Sequence, residues 1–164
     1  MKAKRIWIIW MALVLAIPVA GWAQFNGHIQ LTSVAEIEKE VSNPEGKKEV
    51  KRMPASTVVP GTEVIFTTTY ENVSKETAEK AVITNPVPEH MVYTENSARG
   101  SGTRITFSID NGKSFNIPAK LFVFDAAGCK FPARPHDYTH IRWEMTRPLP
   151  SGIKGEVSFR AILK

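Results

Sequence analysis

From residue 60 onward, apolar and polar positions alternate along most of the chain. Val64, Phe66, Thr68 and Tyr70 share one face of the run EVIFTTTY. Ile105, Phe107 and Ile109 do the same in RITFSI, and Ile141, Trp143 and Met145 in IRWEM. Val157, Phe159, Ala161 and Leu163 repeat it in EVSFRAILK. A period of two with polar residues between predicts half-buried strands, since successive side chains leave a strand on opposite faces. The clusters NPEG, VVPGT, NPVPEH, DNG and PLPSG punctuate these runs. Short strands separated by regular turn signals predict an all-β protein built as a β-sandwich. Leu121 to Phe124, LFVF, is apolar on both faces and predicts a strand covered on both sides.

The segment LTSVAEIEKEVSN reads two ways. Val34, Ile37 and Val41 have helical spacing, and Ser33 with Glu36 fits a capping box. Glu36, Glu38 and Glu40 alternate, however, and the turn NPEG leads into a second charged run, KKEVKRM. The preferred expectation is an N-terminal hairpin at about residues 29–53 with one solvated, charged face. Asn111-Gly112 predicts a tight turn, because both residues tolerate a positive φ. Ser108, Asp110, Gly112 and Phe115 also fit an S-x-D-x-G-x-x-F pattern, the Asp box. There the Asp accepts backbone N–H groups of its own turn. One such box cannot build a propeller, so Asp110, Asn111 and Gly112 are read as structural.

The N-terminus changes the picture. Lys2, Lys4 and Arg5 precede an uncharged apolar stretch from Ile6 to Ala20, and Gly21 and Ala23 place small residues before Gln24. This predicts a signal peptide over residues 1–23 and a domain over 24–164. An uncleaved anchor is the alternative, and the small residues at the boundary argue for cleavage. The chain has 164 residues, with 21 basic and 16 acidic side chains. Three of the basic residues lie in the signal, which leaves 18 against 16, a net +2. No dense Lys/Arg patch is interleaved with aromatic residues, so nucleic acid is not an expected partner. Membrane contact is expected only through the signal segment. The one cysteine, Cys129, rules out an intramolecular disulfide and lies too far from the cleavage site to carry a lipid. The core alone must therefore hold the domain, and Trp143, the one tryptophan after residue 23, is its expected pin.

The ordered set VVPGTEVIFTTTYEN, AEKAVITNPVPEHMVY, ENSARG, FSIDNGKSF, DYTHIRWEM and PLPSGIKGEVSFRAILK resembles the bacterial conserved-repeat domain of surface proteins, a domain of unknown function. The likeness runs from about Glu49 to Lys164. It implies an immunoglobulin-like sandwich in an exported or cell-surface protein, and it brings no catalytic residues. A single copy with no anchor following it fits a small periplasmic or secreted protein better than an adhesin stalk. The final strand has no Asn to accept an isopeptide bond from lysine.

Candidate chemistry is sparse. His136, Asp137 and His140 in ARPHDYTHIRW are the candidate metal ligands, because imidazole and carboxylate suit zinc and its neighbours. In an extended segment, however, residues 136 and 140 lie about 13 Å apart. Asp137 as a turn cap and Tyr138 packed over a sandwich edge make the simpler reading. No G-x-S-x-G elbow or glycine-rich phosphate loop occurs. The expectation is a non-enzymatic structural or protein-interaction module of the cell envelope, without a cofactor, whose partner is an envelope protein. A periplasmic module for a small ligand, glycan or metal is the alternative. The charged run from Glu36 to Arg52 is the expected docking edge.

Overall fold

The computed structural model describes residues 29–43 and 46–164. The segment read as a signal peptide lies outside them. Among the described residues there is no α-helix. Two single turns of 3-10 helix, Pro118–Lys120 and Pro135–Asp137, interrupt an otherwise all-β chain.

The larger sheet holds β1 (Ile29–Ser42), β2 (Lys48–Pro54), β3 (Glu63–Asn72), β5 (Met91–Tyr93), β6 (Arg99–Gly100) and β11 (Lys154–Leu163). Its order is β2-β1-β3-β11-β5, with β6 also pairing β11. The second sheet holds β4 (Val82–Pro86), β7 (Thr103–Ser108) and β10 (His140–Met145), in the order β4-β10-β7. A separate two-stranded ribbon joins β8 (Phe122–Phe124) to β9 (Lys130–Pro132). All of these pairings are antiparallel.

The alternating positions make one core from both sheets. Tyr70, Val157, Phe159 and Ala161 come from the larger sheet, and Ile83, Phe107, Ile141 and Trp143 from the smaller. Trp143 and Phe159 meet at 6.3 Å between ring centroids, and Phe66 stacks on Phe159 at 4.9 Å. Tyr93, Phe107 and Tyr138 form a second aromatic group at 4.7 to 5.8 Å. Polar contacts join neighbouring strands and, through Asn85, the two sheets. Ser33 Oγ and Thr68 Oγ1 lie 2.8 Å apart, and Asn85 Nδ2 donates to Thr68 Oγ1 at 2.8 Å. This satisfies the buried Thr68 hydroxyl at the point where β3 faces β4.

Three expectations are corrected here. The run Leu121 to Phe124 is not covered on both sides. Leu121 is buried, but β8 pairs only with β9, and Phe124 is 68% exposed. Apolarity without a period carries no information about which neighbours will arrive. Tyr138 is not laid over an edge; it is buried in the core against Phe107. The turn cluster NPVPEH does not stop the strand before it: β4 continues through Asn85 and Pro86, with Asn85 opposite Ile141 and Pro86 opposite His140. β4 is an edge strand, where the N–H that proline lacks has no ladder partner to lose.

Candidate functional site

The exposed end of the larger sheet is a hairpin arm. β1 is long enough to serve two partners in succession. Ile29 to Glu36 pairs with β3, and Glu36 to Ser42 pairs with β2. Beyond Glu36 the β1 ladder continues with β2 alone; β3 runs on only to Glu63, and Ile37 is the last buried residue of β1. The register with β2 runs without a break from Glu36↔Pro54 to Ser42↔Lys48. Every residue of β2 is exposed, including Val50 at 63% and Met53 at 42%. Among the described residues β2 pairs with nothing on its outer side, so that row of backbone groups is open. The helical alternative fails because Ser33 and Glu36 lie within β1, where alternate residues face opposite ways.

A chain of charges anchors the arm. Arg160 on β11 donates to Glu38 on β1 through Nη1 and Nη2, at 3.1 and 3.0 Å. The same Nη1 donates to Glu63 on β3 at 2.8 Å. Arg52 on β2 approaches Glu38 from the other side at 3.5 Å. Four neighbouring strands are thus tied through the Arg160 guanidinium and the Glu38 carboxylate. The Arg160 hydrogen bonds, more than the Arg52 contact, hold the Glu38 carboxyl below its ordinary range. Further out, Lys48 pairs with Glu40 at 3.0 Å, and Lys51 stands 4.0 Å from Glu49. These outer pairs are exposed, and such pairs contribute about 0–1 kcal/mol each.

The other singled-out residues fall elsewhere. His136 is exposed in the second 3-10 turn, 3.4 Å from Asp137 Oδ1. Asp137 Oδ2 accepts the Arg134 N–H at 2.8 Å and so closes that turn. His140 opens β10, and its Nδ1 lies 3.2 Å from Thr139 Oγ1. Among the described residues no three His, Cys, Asp or Glu side chains converge as metal ligands do. His140 instead packs on Gly112, where an added Cβ would meet the ring at 3.4 Å. His140 also lines a cleft of about 480 Å³ with His90, Tyr138 and Lys164.

The Asp box is a closed polar knot beneath that ring. Asp110 Oδ1 accepts Ser108 Oγ at 2.6 Å and the Ser114 N–H at 2.9 Å, and Oδ2 accepts Ser114 Oγ at 2.6 Å. The Ser108 bond leads, followed by those of Ser114, in driving the Asp110 carboxyl far below the usual range. Asn111 and Gly112 both take positive φ, 59° and 80°. Phe107 and Asn116 then exchange backbone bonds at 2.8 and 2.9 Å. Trp143 is wholly buried, and its Nε1 has no hydrogen-bond partner among the described residues. Cys129 is exposed in the β8–β9 turn, its N–H held by Asp125 Oδ1 at 2.8 Å.

Arg160 and Glu63 carry the anchor, and sequence reasoning passed over both. Glu38 sits in the charged alternation that drew attention, but its partner lies 122 residues away. No local signal connects the two. A second feature was equally hidden: an apolar cleft of about 300 Å³ between the sheets, lined by Ala35, Phe66, Pro86, Pro88 and Phe159. Comparison with protein-family models, with curated proteins and with solved structures finds no match to this chain.

Proposed function

We propose that this chain is an exported, non-enzymatic interaction module of the bacterial cell envelope, an immunoglobulin-like sandwich that docks a protein partner along the open edge of β2. The observation that carries this reading is the arm itself. It carries a regular two-stranded ladder on from the last β1–β3 pair and, among the described residues, leaves its outermost strand without a neighbour. Such an edge offers ready hydrogen-bonding groups to a strand from another chain. The anchor through Arg160 and Glu38 supports the same reading, because it ties the base of the arm to the body.

The sandwich part of the proposal draws on the common core shared by the two sheets. The immunoglobulin-like part draws on the resemblance to the conserved-repeat surface domain. Export draws on residues 1–23, whose basic start, apolar middle and small boundary residues suit a signal peptide in a periplasmic or secreted protein.

The test is chemical cross-linking of the tagged protein in its native envelope, followed by mass spectrometry. One dominant envelope partner, lost when the charges along residues 36–52 are reversed, is the expected result. A folded protein that captures only abundant neighbours, unchanged by charge reversal, would overturn the reading.

A further inference from the structure

We infer that the strand accepted by β2 is acidic: an extended partner segment carrying Asp or Glu at the positions that come to lie beside Lys48, Lys51 and Arg52. This rests on the reading of β2 as a docking edge and names the chemistry of what docks there. From Lys47 to Pro54 the chain has four basic residues, Lys47, Lys48, Lys51 and Arg52, against one acidic residue, Glu49. The register divides them between both faces of the arm. Lys48 and Arg52 share a face with Glu38 and Glu40, and Lys51 lies on the other, opposite Lys39. A neighbouring strand therefore meets positive charge whichever way its side chains point. Of the acidic residues that balance this charge within the arm, Glu38 and Glu40 lie on β1, one strand further from the open edge, and only Glu49, 4.0 Å from Lys51, lies on β2.

The same charges argue against a second copy as the occupant. Residues directly opposite one another in an antiparallel pair must share a face. Two copies of β2 paired about a two-fold axis through Lys51 set Lys51 against Lys51. The register centred on Val50 sets Lys48 against Arg52, a repulsion that the Glu49 and Lys51 pairs of the same register offset but do not turn into net attraction. Like charges directly opposite each other destabilise a ladder. Edge lysines thus discourage self-pairing and favour an oppositely charged strand. Val50 and Met53, exposed on opposite faces, give that strand one apolar contact on each side. Pro54 closes the ladder at its far end, because it has no N–H to offer.

The experiment uses protein purified after expression of the full chain and two synthetic eight-residue peptides. One alternates Glu with Val, and the other has Lys in place of Glu. Binding is followed by the amide resonances of residues 48–53. The acidic peptide should bind about tenfold more tightly than the basic one, as expected of a few exposed charge contacts acting together. That difference should shrink with added salt. N-methylation of alternate peptide bonds should abolish binding, since it removes the N–H groups that pair. The variant Lys48→Glu/Lys51→Glu/Arg52→Glu should invert the preference. The milder Lys48→Gln/Lys51→Gln/Arg52→Gln, which adds no repulsion toward Glu38, should erase it. Equal binding of both peptides, or tighter binding of the basic one, would overturn the acidic assignment and leave the docking edge standing. Failure of both peptides to bind would also overturn it. The edge itself would then stand or fall separately, by whether a photo-cross-linker at Val50 captures an envelope protein in cells.

Discussion

At Gly100 a side chain has no room. A Cβ there would lie 2.7 Å from Trp143 Cδ1 and 2.7 Å from Thr103 Oγ1. Gly100→Ala should therefore push the indole aside and cost about 1–3 kcal/mol, the usual range for overpacking, measured by urea denaturation. Trp143→Ala should cost about 3–5 kcal/mol. Trp143→Phe should cost clearly less, because the buried Nε1–H has no partner to lose. Trp143 was legible as a core residue because its period-two neighbours are apolar. The need for glycine at 100 was not, because β6 and β10 meet only in the folded chain. Asp110 sets the acid behaviour. Its folded pKa is depressed, so its contribution is fully present above the unfolded value of about 3.9 and is lost as pH falls below that toward the folded value. Thermal melts between pH 2 and pH 5 should show the stability of the native protein falling more steeply with acid than that of Asp110→Ala.

The hairpin arm shows how far local pattern reaches among the elements. Alternation of Glu36, Glu38 and Glu40, a turn at 43–46 and a second charged run were enough to expect two paired strands. The double engagement of β1, first with β3 and then with β2, left no local trace. Its anchor depends on Arg160, far along the chain. Arg160→Met should speed amide hydrogen exchange in β1 beyond Glu36 and in β2. Exchange in the centre of β3 should stay unchanged, and global stability should fall by about 1 kcal/mol or less. Equal loss of protection throughout the larger sheet would show that the guanidinium holds the body rather than the arm. The β8–β9 ribbon was misread for the opposite reason. Its apolar run has no period, and Lys130 over the Phe122 ring at 3.8 Å, with Phe124 and Phe131 exposed, places it at the surface.

Across the whole molecule, the all-β, antiparallel character followed from turn spacing and alternation, while topology did not. The pairing of β3 with β11 joins Ile65 to Arg160 and makes the last strand an interior member of the larger sheet. Such contacts depend on the closure of long loops, and hydrophobic pattern alone does not specify which strands close them. The candidate site was partly legible, because the charged residues of the arm are contiguous. Its openness was not, because an edge is defined by the neighbour that fails to arrive. The candidate metal ligands were drawn from adjacency in the chain. The fold instead uses Asp137 to close a turn and His140 to cover Gly112.

The account turns on whether β2 meets another protein. A photo-cross-linking amino acid placed at Val50, with a control at the exposed Ile153, tests this in living cells. The account predicts one discrete adduct from position 50, absent at 153 and lost in the Lys48→Glu/Lys51→Glu/Arg52→Glu background. Identical adduct patterns at the two positions, or none at position 50 from protein that is exported and folded, would contradict it.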